Sequence, residues 1–199
     1  MAPDSKQRTA LIVGVGLIGG SVGLCLRLAG WRVLGRDRSA KCLERALEVG
    51  AIDSIAPEGF VDGVSLTVVA TPVGVVAEEV AIALLETDGL VTDVGSVKTP
   101  LLELMENPRF IGGHPMAGSE QEGVEGSRSD LFEGRTWVLT PLETSDDETL
   151  ATLRAIVSGF GAEVVSLPPA QHDSMVAIVS HVPHLTAASL MGLADERSI

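Results

Sequence analysis

The chain has 199 residues, of which 45% are hydrophobic and 21% are charged, and 14 basic against 27 acidic side chains give a formal net charge of −13. This composition is typical of a globular protein and excludes disordered, collagenous and coiled-coil proteins, while two cysteines are too few for a disulfide scaffold. Because the chain is acidic and no apolar run approaches the roughly 20 residues of a membrane span, we expect a cytoplasmic protein with neither nucleic-acid nor membrane partners.

Predicted strands and helices alternate in the first half of the chain. Thr9–Val13 is an apolar strand, and after a glycine turn the helical spacing runs from residue 18 to residue 29 and ends at Gly30. The later predicted strands cover residues 31–35, 65–70, 90–93 and 110–112, and the later predicted helices cover residues 39–49, 75–85 and 97–106. Uninterrupted apolar strands joined by helices predict a doubly wound, Rossmann-type α/β fold with a mostly parallel sheet.

The pattern changes near residue 168. Before it, strands are predicted at residues 137–140 and 163–166, with a helix between them that a capping box from Ser145 to Glu148 opens. After Pro168 and Pro169 only helical spacing remains, interrupted by Pro183. We therefore predict a dinucleotide-binding domain over residues 1–168 and, over residues 169–199, the beginning of a helical domain that this chain does not complete.

A glycine fingerprint follows the first predicted strand. It consists of Gly14, Gly16 and Gly19 in GxGxxG spacing, with Leu17 and Ile18 between the last two glycines. A strand before it, a helix after it and Asp37 at the end of the second strand are the context that predicts a dinucleotide site. Asp37 would accept hydrogen bonds from ribose hydroxyls and repel a 2′-phosphate, so NAD is predicted over NADP, although Arg36 and Arg38 could pair with a phosphate.

The carboxyl ends of the predicted strands are where ligands bind in such a sheet. Besides the glycine turn, these ends carry Thr71 and Pro72, Ser96, and His114. The chain has no tyrosine, which excludes a Tyr/Lys acid–base pair, and imidazole is suited to take a carbinol proton while hydride leaves, so His114 is the predicted base. Ser96 would hold the imidazole or the substrate hydroxyl, or cap the helix predicted from residue 97.

The remaining histidines and the cysteines give weaker signals. His181 and His184 would share a helix face, but further ligands for a zinc ion are not evident, so we predict no metal site and expect contact with the substrate or a loop. His172 beside Asp173 indicates helix capping. The two cysteines, at positions 25 and 42, are predicted to be small buried thiols.

Four segments together resemble the prephenate/arogenate dehydrogenase family of tyrosine biosynthesis. They are LIVGVGLIGGS, TDVGSVK, GGHPMAGSEQEGVEGS followed by DLFEGRTWVLTP, and HDSMVAIVSHVPH. The strings HPMAGSE and SHVPH are more specific than the glycine spacing, and the resemblance covers residues 10–194. It implies an NAD-dependent oxidative decarboxylation of prephenate to 4-hydroxyphenylpyruvate, and the residues do not distinguish prephenate from arogenate as the substrate.

The resemblance also implies roles for individual residues. It matches His114 with the family's catalytic histidine, Ser96 with the supporting serine, Ser119 and Glu120 with loop positions of the substrate pocket, and His181 and His184 with a pair on the helical side of the cleft. A homodimer formed through the helical C-terminal part is implied as well.

One feature of the family has no counterpart in this chain. In the family, an arginine of the helical domain binds a substrate carboxylate, and the chain stops before that region. The cations that could replace it are Lys98, Arg128, Arg135 and Arg197. Two alternatives therefore stay open: an NAD-binding module without turnover, and another hydroxyacid or imine dehydrogenase that shares the fold.

Overall fold

The computed structural model describes residues 7–178 and residue 191, without the side chain of Met105. The strands are β1 (Thr9–Val13), β2 (Arg32–Arg36), β3 (Ser54–Ile55), β4 (Val64–Val69), β5 (Leu90–Asp93), β6 (Phe110–Pro115), β7 (Thr136–Thr140) and β8 (Glu163–Ser166). The α-helices are α1 (Leu17–Leu28), α2 (Ala40–Glu48), α3 (Val76–Glu86), α4 (Asp147–Ser158) and α5 (Pro169–Val176). No helix of this part of the chain is long and apolar enough to cross a membrane.

The strands form a single sheet in the order β3-β2-β1-β4-β5-β6-β7-β8. Every neighbouring pair is parallel except β6 and β7, which are antiparallel. The chain leaves the adjacent strands β1 and β4 in opposite directions, which creates a topological switch point at their carboxyl ends. The predicted doubly wound, mostly parallel α/β fold is confirmed.

Strand β1 is buried on both faces. Ala10 and Ile12 belong to the core on one side of the sheet, and Leu11 and Val13 belong to the core on the other side. Successive side chains of a strand point to opposite faces, so a strand between two cores must be apolar at every position. The uninterrupted apolar run that predicted this strand therefore has a direct cause in the packing.

Glycine and serine set the ends of the first two helices. Gly30 lies at φ +81°, and Trp31 N donates to Leu26 O at 3.0 Å, which ends α1. The Ser39 side chain accepts from Cys42 N and caps α2. Helix α5 begins at Pro169, where the predicted helical part starts, and the domain boundary itself stays a prediction.

The prediction of a helix over residues 97–106 is wrong. Two short 3₁₀ turns, Thr99–Leu101 and Leu104–Glu106, replace it. The backbone N–H groups of Lys98 and Thr99 donate to a carboxylate on α5, and the Lys98 side chain is drawn into the core, so tertiary contacts determine this segment. The proposed role of Ser96 as a helix cap is wrong for the same reason.

The predicted cap of α4 is displaced by one residue. The Asp146 carboxylate accepts from Thr149 N at 2.7 Å and caps the helix, whereas Ser145 Oγ accepts from Leu142 N at 2.9 Å in the preceding turn. The serine thus orders the turn and the aspartate starts the helix.

We expect Phe132→Ala to lower the free energy of unfolding by about 3–5 kcal/mol, because it removes a fully buried ring. The ring lies 4.9 Å from that of Trp137 and 6.2 Å from that of Phe160, measured between centroids, so its loss leaves a cavity beside β7. Urea denaturation measures the change. Leu85→Ala, at a side chain that is 80% exposed, is the control, and equal effects of the two substitutions would contradict the expectation.

Candidate active site

A crevice of about 1070 Å³ lies along the carboxyl ends of β1, β2, β4, β5 and β6. We call it the carboxyl-edge crevice. The predicted cofactor residues that line it are Gly14, Gly16, Leu17, Ile18, Asp37, Thr71 and Pro72, and both predicted catalytic residues, Ser96 and His114, line it too. The topology thus brings together residues that are up to 100 positions apart in the sequence, between Gly14 and His114.

A different steric reason favours glycine at each of the three positions of the fingerprint. Gly14 lies at φ +89°, and a Cβ there would stand 2.6 Å from Ala70 O. A Cβ at Gly19 would stand 1.9 Å from Gly14 O, so Gly19 packs α1 against the turn without lining the crevice. A Cβ at Gly16 would meet no described atom within 4 Å and would project into open space where a ligand could approach the backbone.

The start of α1 has the features of an anion site. Gly16 precedes the helix without a side-chain cap, and the first turn contains no acidic residue, so its backbone N–H groups are available to a pyrophosphate. Thr71 Oγ1, beside the glycine turn at the carboxyl end of β4, is buried and has no hydrogen-bond partner among the described residues. A buried hydroxyl of this kind is satisfied when a polar ligand binds, so the crevice fits a dinucleotide.

Asp37 is held in place by the backbone. Its two carboxylate oxygens accept from Val15 N at 3.0 Å and from Ser39 N at 2.9 Å. These bonds fix the carboxylate in the wall of the crevice at the end of β2. A ribose hydroxyl would find an oriented acceptor there, and a 2′-phosphate would meet a negative charge.

The two arginines beside Asp37 differ in their availability. The Arg36 guanidinium pairs with Glu86 and donates to the carbonyl oxygens of Pro57 and Gly59 at 2.8 and 3.0 Å. These bonds occupy the side chain and neutralise its charge. Arg38 is exposed at the rim of the crevice.

A buried ion pair organises the carboxyl end of β5. Asp93 and Lys98 are both completely buried and are hydrogen-bonded to each other, and Asp93 also accepts from Gly95 N at 2.8 Å and from Gly113 N at 3.2 Å. Burial lowers the pKa of the Lys98 ammonium, and the adjacent carboxylate opposes this change. The pair ties the loop that carries Ser96 to the residue before His114, and Lys98 is therefore not available as a cation for the substrate.

His114 lies half-buried at the carboxyl end of β6 and contacts a second histidine. Its Nδ1 is 2.9 Å from Nε2 of His172, and the two rings meet edge to face with their centroids 5.1 Å apart. His172 is completely buried, and its Nδ1 is 2.8 Å from Oδ1 of Asp173. The prediction that His172 and Asp173 cap a helix is wrong, since both lie inside α5, which begins at Pro169.

The sequence contains little that could have revealed this contact. His114 and His172 are separated by 58 positions, and only the packing of α5 against β7 and the loop after β5 brings them together. The adjacent His and Asp were visible as a pair, but adjacency alone does not distinguish a cap from a buried hydrogen bond.

The remaining predicted residues of the described part of the chain lie outside the crevice lining. Ser119 and Glu120 are exposed on the loop after β6, where Ser119 Oγ accepts from Gln121 N at 3.1 Å. His181 and His184 lie outside the described residues. Arg128 and Arg135 are exposed and do not line the crevice, and Arg128 pairs with Asp130.

The two cysteines are free thiols in different surroundings. Burial, together with the negative charges of Glu133 and Asp130, raises the pKa of the Cys25 thiol to about 12, so this sulfur is an unreactive part of the core. Cys42 is half-buried in the wall of the carboxyl-edge crevice. The prediction of a small buried thiol thus holds fully for Cys25 and in part for Cys42.

Comparison with known proteins gives consistent matches over most of the chain. A family model described as the nucleotide-binding domain of prephenate dehydrogenase matches residues 22–166, and one described as its dimerization domain matches residues 168–198. A prephenate dehydrogenase of Bacillus subtilis is 38% identical over 94% of this chain and 54% of its own length. The chain thus spans about half the length of this curated relative.

Two solved structures show the same architecture. Prephenate dehydrogenase from A. aeolicus, in complex with hydroxyphenyl propionate and NAD+, superposes with a TM-score of 0.89 at 31% identity, over 98% of this chain and 72% of that one. Synechocystis arogenate dehydrogenase superposes with a TM-score of 0.84 at 32% identity, over 96% of this chain and 70% of that one.

We expect Asp93→Asn to lower the free energy of unfolding by about 3–5 kcal/mol, because it leaves a buried ammonium without its counter-charge. Replacing both partners, as Asp93→Asn with Lys98→Met, should recover most of the loss, since no charge is then left buried. Urea denaturation of the two single variants and the double variant measures the coupling. Strictly additive effects would show that the pair does not act as a unit.

Proposed function

Because this chain belongs to the prephenate dehydrogenase family, we propose that it oxidises and decarboxylates prephenate to 4-hydroxyphenylpyruvate with NAD as the hydride acceptor. The observation that carries the proposal is the position of His114 in the same crevice as the glycine turn. A base at this place would reach a substrate that lies against the nicotinamide end of a bound dinucleotide. The family relatives bear the names of enzymes with this activity.

Each group in the crevice would have a separate role in the reaction. Bound NAD supplies the acceptor for the hydride that leaves the ring carbinol carbon. His114 takes the hydroxyl proton as the hydride leaves and returns it to the same oxygen when the C1–carboxylate bond breaks and its electron pair enters the ring. Ser96, which also lines the crevice, would hydrogen-bond the hydroxyl or the imidazole. The products are 4-hydroxyphenylpyruvate, CO₂ and NADH.

The preference for NAD over NADP rests on Asp37 and its neighbours. The carboxylate is fixed at the crevice wall by Val15 N and Ser39 N, and Arg36 is bound to Glu86 and cannot neutralise a 2′-phosphate without losing that partner. Gly14, Gly16, Leu17 and Ile18 would hold the pyrophosphate, Gly19 would keep the helix close, and Thr71 and Pro72 would contact the cofactor from the end of β4.

Substrate contacts beyond the crevice are part of the same proposal. Ser119, Glu120, His181 and His184 would contact prephenate, and the helical part that begins near residue 169 would form a homodimer. By the resemblance to the family, an arginine of the helical domain would receive a substrate carboxylate, since Lys98 is paired with Asp93 and Arg128 with Asp130. A cytoplasmic location also stays a prediction.

We expect the chain to form NADH from NAD and prephenate, and His114→Asn to lower kcat by about 10²- to 10⁴-fold while NAD affinity is unchanged. Absorbance at 340 nm measures turnover, and calorimetry measures NAD binding. Arogenate assayed beside prephenate decides between the two substrates.

Three outcomes separate the alternatives. NAD binding without turnover of either substrate would favour a module that binds the dinucleotide only. Turnover that His114→Asn leaves unchanged would remove this residue from the mechanism. Failure to bind NAD would overturn both the enzyme and the module.

We expect Asp37→Ser to raise the affinity for NADP relative to NAD by about 10-fold or more, because it removes the charge that repels a 2′-phosphate and leaves Arg38 at the rim. The ratio of the two dissociation constants, measured by calorimetry, tests this. Asp62→Ser, an exposed acidic residue outside the crevice lining, is the matched control. An unchanged ratio in Asp37→Ser would show that the carboxylate does not select the cofactor.

A further inference from the structure

A chain of hydrogen bonds leads from the crevice into the protein. His114 contacts His172 at 2.9 Å, and His172 contacts Asp173 at 2.8 Å, so two imidazoles and one carboxylate are joined in a row. We call this row the imidazole relay. His172 is fully buried, and both of its ring nitrogens are hydrogen-bonded. A buried histidine requires a partner for each ring nitrogen, and here one partner is a carboxylate and the other is the imidazole that lines the crevice.

The carboxylate at the end of the relay can only accept hydrogen bonds. Besides His172, it accepts from Lys98 N and Thr99 N, both at 2.9 Å, and from the Thr99 hydroxyl. Partial burial raises the pKa of the Asp173 carboxyl, but the bonds from Thr99, His172 and Lys98 outweigh burial and lower it to about 2. Asp173 is therefore ionised at any working pH, and Nδ1 of His172 must carry the proton that points to it.

The proton on Nδ1 of His172 determines the state of the next ring. A neutral imidazole has one N–H donor and one acceptor nitrogen, so Nε2 of His172 accepts. Its partner, Nδ1 of His114, must then donate, and the lone pair of His114 lies on Nε2. With His172 as a neutral imidazole, the direction of every hydrogen bond in the relay follows from the ionised Asp173 carboxylate, which has no proton.

We propose that His172 and Asp173 are positioning residues that hold His114 in the tautomer with its proton on Nδ1, so that Nε2 is the nitrogen that takes the substrate proton. The role of Nε2 in taking the substrate proton rests on the proposed function, whereas the tautomer of His114 does not. When His114 becomes an imidazolium, its Nδ1–H stays bonded to His172, and the Asp173 charge stabilises the cation through that ring.

In the described part of the chain, the charge of Lys98 does not compete with this arrangement. The buried Lys98 ammonium is paired with Asp93, and only its backbone N–H reaches Asp173. The same two backbone donors of residues 98 and 99 hold α5 against the loop after β5, so the carboxylate fixes both the proton on His172 and the position of the helix.

The tautomer can be measured without substrate. Long-range ¹H–¹⁵N NMR spectra of the ¹⁵N-labelled chain distinguish Nδ1–H from Nε2–H imidazoles, and His114→Asn assigns the signal. We expect the resting His114 as the Nδ1–H form. Observation of the Nε2–H form would overturn the proposal, even if the chain proves to have no dehydrogenase activity.

Kinetics test the consequence. We expect His172→Phe, which keeps the ring volume and removes both hydrogen bonds, to lower kcat by about 10²-fold while the KM for NAD stays unchanged. The acid limb of the kcat–pH profile should move to lower pH, because the imidazolium of His114 loses the support of Asp173. Gln171→Ala, exposed on the same helix, is the control and should leave both quantities unchanged.

The outcomes are distinct. A general disturbance of α5 would raise the KM for NAD and the KM for prephenate. It would also appear in the Gln171→Ala control, and this result would overturn the positioning role. Unchanged kcat and pH profile in His172→Phe would overturn it too. If His172→Phe does not fold, the NMR measurement on the unmodified chain still decides the tautomer. Absence of turnover in the unmodified chain would contradict the proposed function and leave the tautomer to the spectra.

Discussion

The buried ion pair between Asp93 and Lys98 is the interaction on which the geometry of the crevice depends. Buried charges are costly unless they are paired and hydrogen-bonded, and Asp93 meets this condition with an ammonium and two backbone N–H groups. One of those N–H groups belongs to Gly113 and another to Gly95, so a single carboxylate fixes the strand before His114 and the loop that carries Ser96. The backbone of Lys98 then holds Asp173, which links the pair to the imidazole relay.

Where local chemistry determines the structure, the sequence was sufficient. Steric conditions that involve only a few neighbouring atoms require the glycines at positions 14 and 19, and burial on both faces requires the apolar strand β1. Asp37 and His114 follow strand ends, and strand ends of a parallel sheet meet at one edge. These residues were therefore predictable from spacing alone, together with the edge at which they converge.

Where long-range contacts determine the structure, spacing was misleading. Residues 97–106 have helical periodicity, but the burial of Lys98 and the hydrogen bonds to Asp173 impose two 3₁₀ turns instead. His172 and Asp173 were predicted as a cap because nothing nearby in the sequence indicates that α5 lies against β7 and the loop after β5. Ser119 and Glu120 were predicted as site residues only from the resemblance to a family. Nothing in the local sequence pattern indicates that both side chains are exposed.

The antiparallel pairing of β6 and β7 has a consequence for how this scaffold can change. A parallel connection would carry the chain away across a face of the sheet, whereas the reversed β7 lets residues 116–135 leave and re-enter at the same rim. Ser127 Oγ donates to Leu17 O at 3.2 Å, and Arg128 N donates to Ser21 Oγ at 3.0 Å, so this excursion rests on the first helix. Mutations in residues 116–135 thus change which ligands enter the carboxyl-edge crevice and how this segment contacts α1. The hydrogen bonds of the sheet are not affected.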